Sequence, residues 1–242
     1  MTEKLYWNDP YTAMFRATVT GKTSEGIFLS ETAFYPEGGG QPGDTGTLIA
    51  SSLSYLVSNT VKSGDEPLHI IADTSGLEEG AAVEGRIDWI RRYSHMRFHT
   101  AIHIIDAVVH TIYGSHGLIT GSQIYTDRAR VDFSIDSMTA DDARKIVDSA
   151  NVIVSEGHTV RDYFISREDA AGIRDLARTA PGRDLISRMD RVRIVEIEGV
   201  DLQADGGTHV RNTREVGTIG LVRVENKGRR NKRMIINLSG DR

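Results

Sequence analysis

The sequence changes character at residues 89–114, WIRRYSHMRFHTAIHIIDAVVHTIYG. Apolar residues recur there every three or four positions, which predicts a long helix that Gly114 ends. His99 and His103 lie four residues apart and therefore share one face of that helix. Asp106 and His110 extend the same face into a polar stripe. Two interpretations are open: a solvated or internally satisfied helix face, or a pair of metal ligands.

The segments on either side of this stretch predict different architectures. Residues 1–88 contain short β-prone runs separated by glycine and serine turns, which predicts a small N-terminal β-barrel. Residues 89–242 mix helical and strand patterns. They predict an α+β domain in which helices pack on a mostly antiparallel sheet. The predicted fold class is therefore α+β, with domains 1–88 and 89–242.

Local signals divide the second predicted domain further. Thr139 and Ser166 are predicted helix N-caps, the latter within a strand-then-helix segment at 158–178. Strands are expected within the remaining segments, at 121–136, 191–197, 208–225 and 233–239.

Composition excludes several functional classes. The 242 residues carry a net charge of −5, so no strong overall field attracts nucleic acid. The chain contains no cysteine, which excludes disulfides and thiolate catalysis. No apolar run approaches the roughly 20 residues that span a bilayer. The N-terminus lacks the features of a signal peptide, so no membrane association and a cytoplasmic location are expected.

A second cluster of possible ligands occurs in DLQADGGTHVRNT, residues 201–213. Asp205 and His209 are again four residues apart, and the glycines between them permit a tight turn. Two helix histidines with this Asp and His make four N and O ligands, which suits Zn²⁺. The alternative for the segment alone is an ordinary turn.

The residue after the first helix histidine separates this pattern from that of zinc proteases. Such proteases place a glutamate there as general base, and this chain has Thr100. Asp106 is a further candidate, as an acceptor that orients a ligand histidine, and a surface ion pair is its alternative.

Taken in order, these motifs resemble the editing domain of alanyl-tRNA synthetases, and most of all the free-standing AlaX family of alanyl-tRNA editing proteins. HTAIH at 99–103 and GGTHV at 206–210 carry the resemblance. It extends over nearly the whole chain, through the segments ETAFYPEGGGQPGDTG, GSQIYTDRARVDF, NTREVGTIGL and KGRRNKRM. The resemblance implies one zinc ion and hydrolysis of mischarged tRNA(Ala). Serine is the expected wrong amino acid and glycine a second candidate.

The sequence departs from the family pattern at two positions. Asp205 stands where the family has a cysteine ligand, and a carboxylate also ligates zinc. Ile102 stands where many synthetase editing domains have threonine. The resemblance implies a metal set of His99, His103, Asp205 and His209.

The resemblance also implies roles for residues outside the metal set. Ser122 and Gln41 are candidate catalytic residues, although Ser122 also fits an ordinary turn. Gly38, Gly39, Gly40 and Gln41 form a predicted substrate-selecting loop. That loop lacks the Lys-Ser/Thr of a P-loop and the spacing of a dinucleotide site.

A basic run near the C-terminus is the predicted tRNA contact. It contains Lys227, Arg229, Arg230, Lys232 and Arg233. A solvated face is the usual interpretation of such a run, and phosphate contact is favoured beside the predicted editing motifs. Arg91, Arg92 and Arg97 are expected to add to the same surface.

Two other functions stay open on the sequence alone. One is a tRNA-binding module that retains the fold without catalysis, with Asp205 marking the loss. The other is a zinc hydrolase that acts on a small ester or amide. In the editing hydrolase itself, the metal either activates a water or holds the substrate beside one.

Overall fold

The computed structural model describes residues 1–173, 175–177, 186 and 189–240. The chain forms two compact units, Met1–His95 and Met96–Arg242. The division falls inside the predicted long helix. No helix within the described ranges is both long and apolar enough to cross a membrane.

The first unit is built mainly from short strands. In chain order its elements are β1 (Glu3–Lys4), α1 (Leu5–Asn8), β2 (Met14–Lys22), β3 (Gly26–Leu29), β4 (Glu31–Thr32), β5 (Gly46–Ala50), β6 (Leu53–Val57), β7 (Asn59–Ser63), β8 (Glu66–Ile70) and β9 (Ala82–Ile87).

Seven of these strands form one curled antiparallel sheet in the order β6-β5-β9-β2-β3-β8-β7. The sheet curls around a core that includes Ile27, Phe34, Leu48 and Leu77. Strand β2 pairs with β9 over its first half and with β3 over its second half, with an irregularity near Val19. The edge strands β6 and β7 share no ladder in this fully described unit. The prediction of a β-barrel is therefore confirmed only as a half-barrel sheet.

A buried ion pair holds the glycine-rich segment inside this unit. Arg92 and Asp44 are both fully buried, and the guanidinium donates from Nε and Nη2 to the carboxylate. Arg92 also donates to the carbonyl oxygens of Pro10, at 2.9 Å, and Ala33. The Tyr35 amide donates to Asp44 at 2.7 Å. The pair thus joins four separate chain segments, at Pro10, Ala33–Tyr35, Asp44 and Arg92.

The prediction that Arg92 and Arg97 line a tRNA surface was wrong. Arg92 is 0% exposed in the ion pair, and Arg97 is 6% exposed within the second unit. The Arg97 guanidinium donates to the Val216 carbonyl at 3.0 and 2.8 Å. Both arginines satisfy buried backbone acceptors, which sequence alone does not distinguish from an exposed basic patch.

The second unit contains the remaining elements. They are α2 (Trp89–Tyr113), which starts in the first unit, β10 (Ile119–Ile124), β11 (Ala129–Phe133), α3 (Ala140–Glu156), β12 (Val160–Ser166), α4 (Arg167–Gly172), β13 (Arg191–Ile197), β14 (Asp201–Ala204), β15 (Thr218–Asn226) and β16 (Lys232–Ser239), with 3₁₀ turns at Gly114–His116 and Thr213–Val216. Two antiparallel sheets result, β10-β11-β16-β15 and β12-β13-β14. The prediction of helices with mostly antiparallel strands is confirmed.

Helix ends lie where the sequence placed them. The Thr139 side chain accepts from the Asp142 amide at 3.1 Å, which completes a capping box at the start of α3. Ser166 caps α4 in the same way through the Asp169 amide at 3.0 Å. Gly114, with φ of 58°, follows the last residue of α2. Residues 174 and 178 of the predicted 158–178 segment lie outside the described residues.

One predicted strand is only partly present. Of the segment 208–225, only the part from Thr218 onward is a strand, and the earlier part forms a loop and a 3₁₀ turn. Asn212 caps that turn by accepting from the Arg214 amide at 3.0 Å. The short strand β14 was not predicted.

Candidate metal centre

The structure brings together the four predicted metal ligands. Helix α2 supplies His99 and His103, and the turn after β14 supplies Asp205 and His209. One possible ligand atom from each residue lies within 4.8 Å of those of the other three. The three imidazoles are buried, and the Asp205 side chain is 17% exposed. All four donors belong to the second unit.

The turn between Asp205 and His209 is held by its own hydrogen bonds. The Gly207 amide donates to Asp205 Oδ2 at 2.6 Å, and His209 Nε2 lies 3.1 Å from the same oxygen. Arg193, on β13, donates from Nη1 to the carbonyls of Asp205, at 3.1 Å, and Gly207, at 2.9 Å. These hydrogen bonds hold the turn in the conformation that brings both side chains to the cluster.

The two glycines of the turn have different surroundings. A Cβ atom on Gly207 would lie 2.2 Å from His99 Cε1 and 2.9 Å from Asp205 Oδ2. A Cβ atom on Gly206 would meet no atom within 4 Å. Close approach of the ligand imidazole, rather than an unusual backbone angle, therefore requires glycine at position 207.

Gly207→Ala is expected to reduce zinc affinity at least about tenfold, because the new methyl group must displace the His99 ring from the cluster. Titration of the apoprotein with Zn²⁺ in competition with a chromophoric chelator measures this. Gly206→Ala is the matched control and is expected to bind zinc as the unmodified protein does. Equal affinities for the two variants would contradict the prediction.

Each of two ligand histidines has a fixed partner on its second ring nitrogen. His103 Nδ1 lies 2.9 Å from Asp201 Oδ2, and His209 Nδ1 lies 3.2 Å from Thr100 Oγ1. With Nδ1 engaged, Nε2 of each ring is the nitrogen left to face the cluster. Asp201 is thus a carboxylate within hydrogen-bond distance of His103, and the orienting role predicted for Asp106 stays a prediction.

The contacts of Asp201, Gln203 and Thr100 at this cluster were not predicted from the sequence. The sequence did contain a signal, an alternating pattern of polar residues. Asp201, Gln203 and Asp205 are two positions apart, and residues at that spacing share one face of a strand. The Gln203 amide nitrogen lies 2.8 Å from carboxylate oxygens of both Asp201 and Asp106.

Burial and neighbouring charge set the protonation of the cluster. Burial lowers the pKa of His99 to about 4 and holds the pKa of His209 well below its ordinary value. Burial opposes ionisation of Asp205, but the charges of His99 and His209 hold its pKa well below the usual range. At neutral pH, two neutral imidazoles and a carboxylate are thus ready to ligate a metal.

His103 differs from the other two imidazoles. Burial acts to lower its pKa, but the hydrogen bond to Asp201 and the surrounding carboxylates outweigh burial and raise the pKa. Carboxylates predominate at the cluster: Asp205 belongs to it, and Asp106 and Asp201 act on His103 from beside it. The buried Arg193 is already paired with Asp162 at 3.2 Å. A divalent cation would balance this negative charge, so the donor set fits a zinc ion.

The other predicted catalytic candidates, Ser122 and Gln41, belong to different units of the chain. Ser122 lies on β10 opposite Val131 and is partly buried. In the first unit, Gln41 is fully buried and closes a tight turn with Gly38, through reciprocal backbone hydrogen bonds of 3.0 and 2.9 Å. Gly39 and Gly40 occupy the turn with φ of 60° and 81°, a conformation that favours glycine.

The predicted tRNA-binding run joins β15 to β16. Lys227, Arg229 and Arg230 are exposed. Lys232 is buried, and its ammonium donates to the Gly228 carbonyl at 2.8 Å. Arg233 is partly buried and donates to Asp132 at 2.6 Å. The run therefore consists of an exposed loop, which carries Lys227, Arg229 and Arg230, and of two residues, Lys232 and Arg233, whose side chains bond within the protein.

Two family profiles match parts of the chain. The family described as "tRNA synthetases class II (A)" matches residues 9–91. The family described as "Threonyl and Alanyl tRNA synthetase second additional domain" matches residues 192–235, which include Asp205 and His209.

Curated relatives match over almost the full length. The chain is 41% identical to the alanyl-tRNA editing protein AlaX-M of Methanosarcina mazei, over 98% of this chain and 97% of that protein. It is 40% identical to AlaX-M of Saccharolobus solfataricus, with coverage of 97% and 98%. The alanine–tRNA ligase of Thermococcus kodakarensis is 38% identical over 93% of this chain, but only 24% of the ligase is covered.

Proposed function

Since this chain belongs to the AlaX family of alanyl-tRNA editing proteins, we propose that it is a trans-editing hydrolase. Its substrate is tRNA(Ala) that carries the wrong amino acid, and it hydrolyses the ester at the tRNA 3′ end. The observation that carries the proposal is the convergence of His99, His103, Asp205 and His209 within 4.8 Å.

Physical limits on selectivity explain the need for such an activity. A binding pocket for alanine discriminates weakly against an amino acid that only adds a hydroxyl or lacks a methyl group. Seryl-tRNA(Ala) is therefore the proposed substrate, and glycyl-tRNA(Ala) is the second. Charged tRNA is a reactant of translation, so a cytoplasmic location is part of the proposal.

The proposed cofactor is one zinc ion held by the four clustered side chains. When bound, it supplies positive charge that polarises an ester carbonyl or a water beside it. The protein contributes orientation, because the Nδ1 contacts of His103 and His209 direct Nε2 of both rings towards the cluster. Burial of the three rings keeps bulk water from competing for the donors.

Selection of the amino acid and of the tRNA is assigned to other residues. We keep Ser122 and Gln41 as candidate catalytic residues and Gly38–Gln41 as the candidate selecting loop. The exposed residues Lys227, Arg229 and Arg230 support the proposed phosphate contact. Lys232 and Arg233 belong to the same proposal. Their side chains bond within the protein, and their chief part is to hold this loop in place.

The decisive experiment compares the rates of deacylation of seryl-tRNA(Ala) and alanyl-tRNA(Ala) under identical conditions. We expect rapid loss of serine with alanine spared. Prior removal of metal with a chelator is expected to abolish the activity, and added Zn²⁺ to restore it.

Two results would contradict the proposal in different ways. Retention of both amino acids by a zinc-loaded protein that still binds tRNA would favour the binding module. Hydrolysis of a short seryl ester as readily as of seryl-tRNA would instead favour a small-molecule hydrolase.

A further inference from the structure

We infer that Asp201 is the positioning residue for His103, and that β14 thereby sets the orientation of a ligand carried by α2. The inference rests on the metal centre of the proposed function. It concerns how the protein prepares one of its four donors, and it depends on contacts between buried side chains of the second unit.

His103 and Asp201 are in direct contact. His103 Nδ1 and Asp201 Oδ2 are 2.9 Å apart, the distance of a charge-assisted hydrogen bond. A carboxylate only accepts, so the proton of this bond belongs to Nδ1. The remaining nitrogen, Nε2, then keeps its lone pair, which is the form of imidazole that ligates a metal.

A hydrogen bond from Gln203 holds the Asp201 carboxylate in place. Gln203 Nε2 lies 2.8 Å from Asp201 Oδ2 and 2.8 Å from Asp106 Oδ2. Each hydrogen of the amide therefore has one carboxylate acceptor. Asp106 follows His103 by three residues, so both project from the same side of α2. Helix and strand are thus linked at two points, which restricts rotation of the His103 ring.

The His103 ring and the two carboxylates beside it are buried. Asp106 is 0% exposed, and Asp201 and His103 are each 6% exposed. Water therefore does not compete for these hydrogen bonds, and a charged acceptor is stronger there than at the surface. At Nδ1, His209 has the neutral hydroxyl of Thr100 as its partner, at 3.2 Å. Of the two Nδ1 contacts, that of His103 therefore has the charged and stronger acceptor.

The test uses the full-length protein and Zn²⁺ alone, without tRNA. Zinc affinity is measured by chelator competition for the unmodified protein and for Asp201→Ala, Asp201→Asn and Asp136→Asn. Asp136 is the matched control, because it loses the same charge from an exposed ion pair with Arg230. Long-range ¹⁵N–¹H NMR of the apoprotein, recorded at a pH above the pKa of His103, reports which nitrogen of the neutral ring carries the proton.

We expect Asp201→Ala to lower zinc affinity roughly 10- to 100-fold and to shift the His103 proton towards a mixture of the two nitrogens. Asp201→Asn keeps an oxygen acceptor of the same shape, so its loss of affinity should be smaller and its tautomer unchanged. Asp136→Asn should match the unmodified protein. A variant that is folded but merely less stable would not show this selective change in the tautomer of His103.

Zinc affinity of Asp201→Ala within twofold of the unmodified protein, or an unchanged His103 tautomer, would overturn the inference. If Asp201→Ala does not fold, Asp201→Asn decides: affinity equal to that of the unmodified protein overturns the inference, and a clear decrease supports it. Failure of the unmodified protein to bind zinc would overturn both this inference and the metal centre. Zinc binding without deacylation would overturn the enzyme proposal alone.

Discussion

Asp205→Ala is expected to lower the rate of seryl-tRNA(Ala) deacylation roughly 10²- to 10³-fold, the equivalent of about 3–4 kcal/mol of lost transition-state stabilisation. The physical reason is twofold. Alanine removes one of four clustered donors, and it also removes the acceptor for the Gly207 amide at 2.6 Å, which shapes the turn that carries His209. Single-turnover deacylation with saturating protein measures the effect.

Asp205→Cys is the informative companion variant. A thiolate is a zinc ligand, and the family pattern has cysteine at this position. We therefore expect the Asp205→Cys variant to retain activity within about tenfold of the unmodified protein. Asp141→Asn, at an exposed carboxylate of α3 that pairs with Arg144, controls for the loss of a carboxylate elsewhere in the same unit. An Asp205→Ala variant as active as the unmodified protein would mean that Asp205 is not a functional ligand.

Arg92→Ala is expected to destabilise the first unit by about 3–5 kcal/mol, because it leaves Asp44 as a buried carboxylate without its cation. This corresponds to a decrease in Tm of roughly 6–20 °C for a chain of this size. Both tryptophans of the protein, Trp7 and Trp89, lie in the first unit. Their fluorescence during urea denaturation therefore reports the stability of that unit.

Arg144→Ala is the matched control for this ion pair. Arg144 pairs with Asp141 on the exposed surface of α3, with side chains 63% and 80% exposed. Its loss should change stability by less than about 1 kcal/mol. A comparable effect for the two arginine variants would show that burial of the Arg92–Asp44 pair contributes no special stability.

Sequence patterns predicted the parts of the fold that depend on local rules. The caps at Thr139 and Ser166, the end of α2 at Gly114 and the strand at 191–197 follow from nearby residues alone. Spacing of four also indicated which histidines could act together, since helix geometry fixes that relation.

What sequence did not predict depends on contacts between distant segments. Asp201 was overlooked because its partner, His103, is 98 residues away in the chain. The burial of Arg92 depends on acceptors at Pro10, Ala33 and Asp44, which only the folded sheet brings together. Strand β14 was not predicted because it is short, and because its alternate polar side chains, Asp201 and Gln203, bond to His103 and Asp106 inside the protein rather than to water.

The proposed use of Asp205 as a donor has a consequence for resistance to oxidation. The donor set consists of imidazoles and a carboxylate, and the chain has no cysteine anywhere. Peroxide converts a thiolate ligand stepwise to sulfenic and sulfinic acids, which no longer bind metal as a thiolate does. A centre assembled without sulfur has no such reaction available, so peroxide finds no thiolate to oxidise among these four donors.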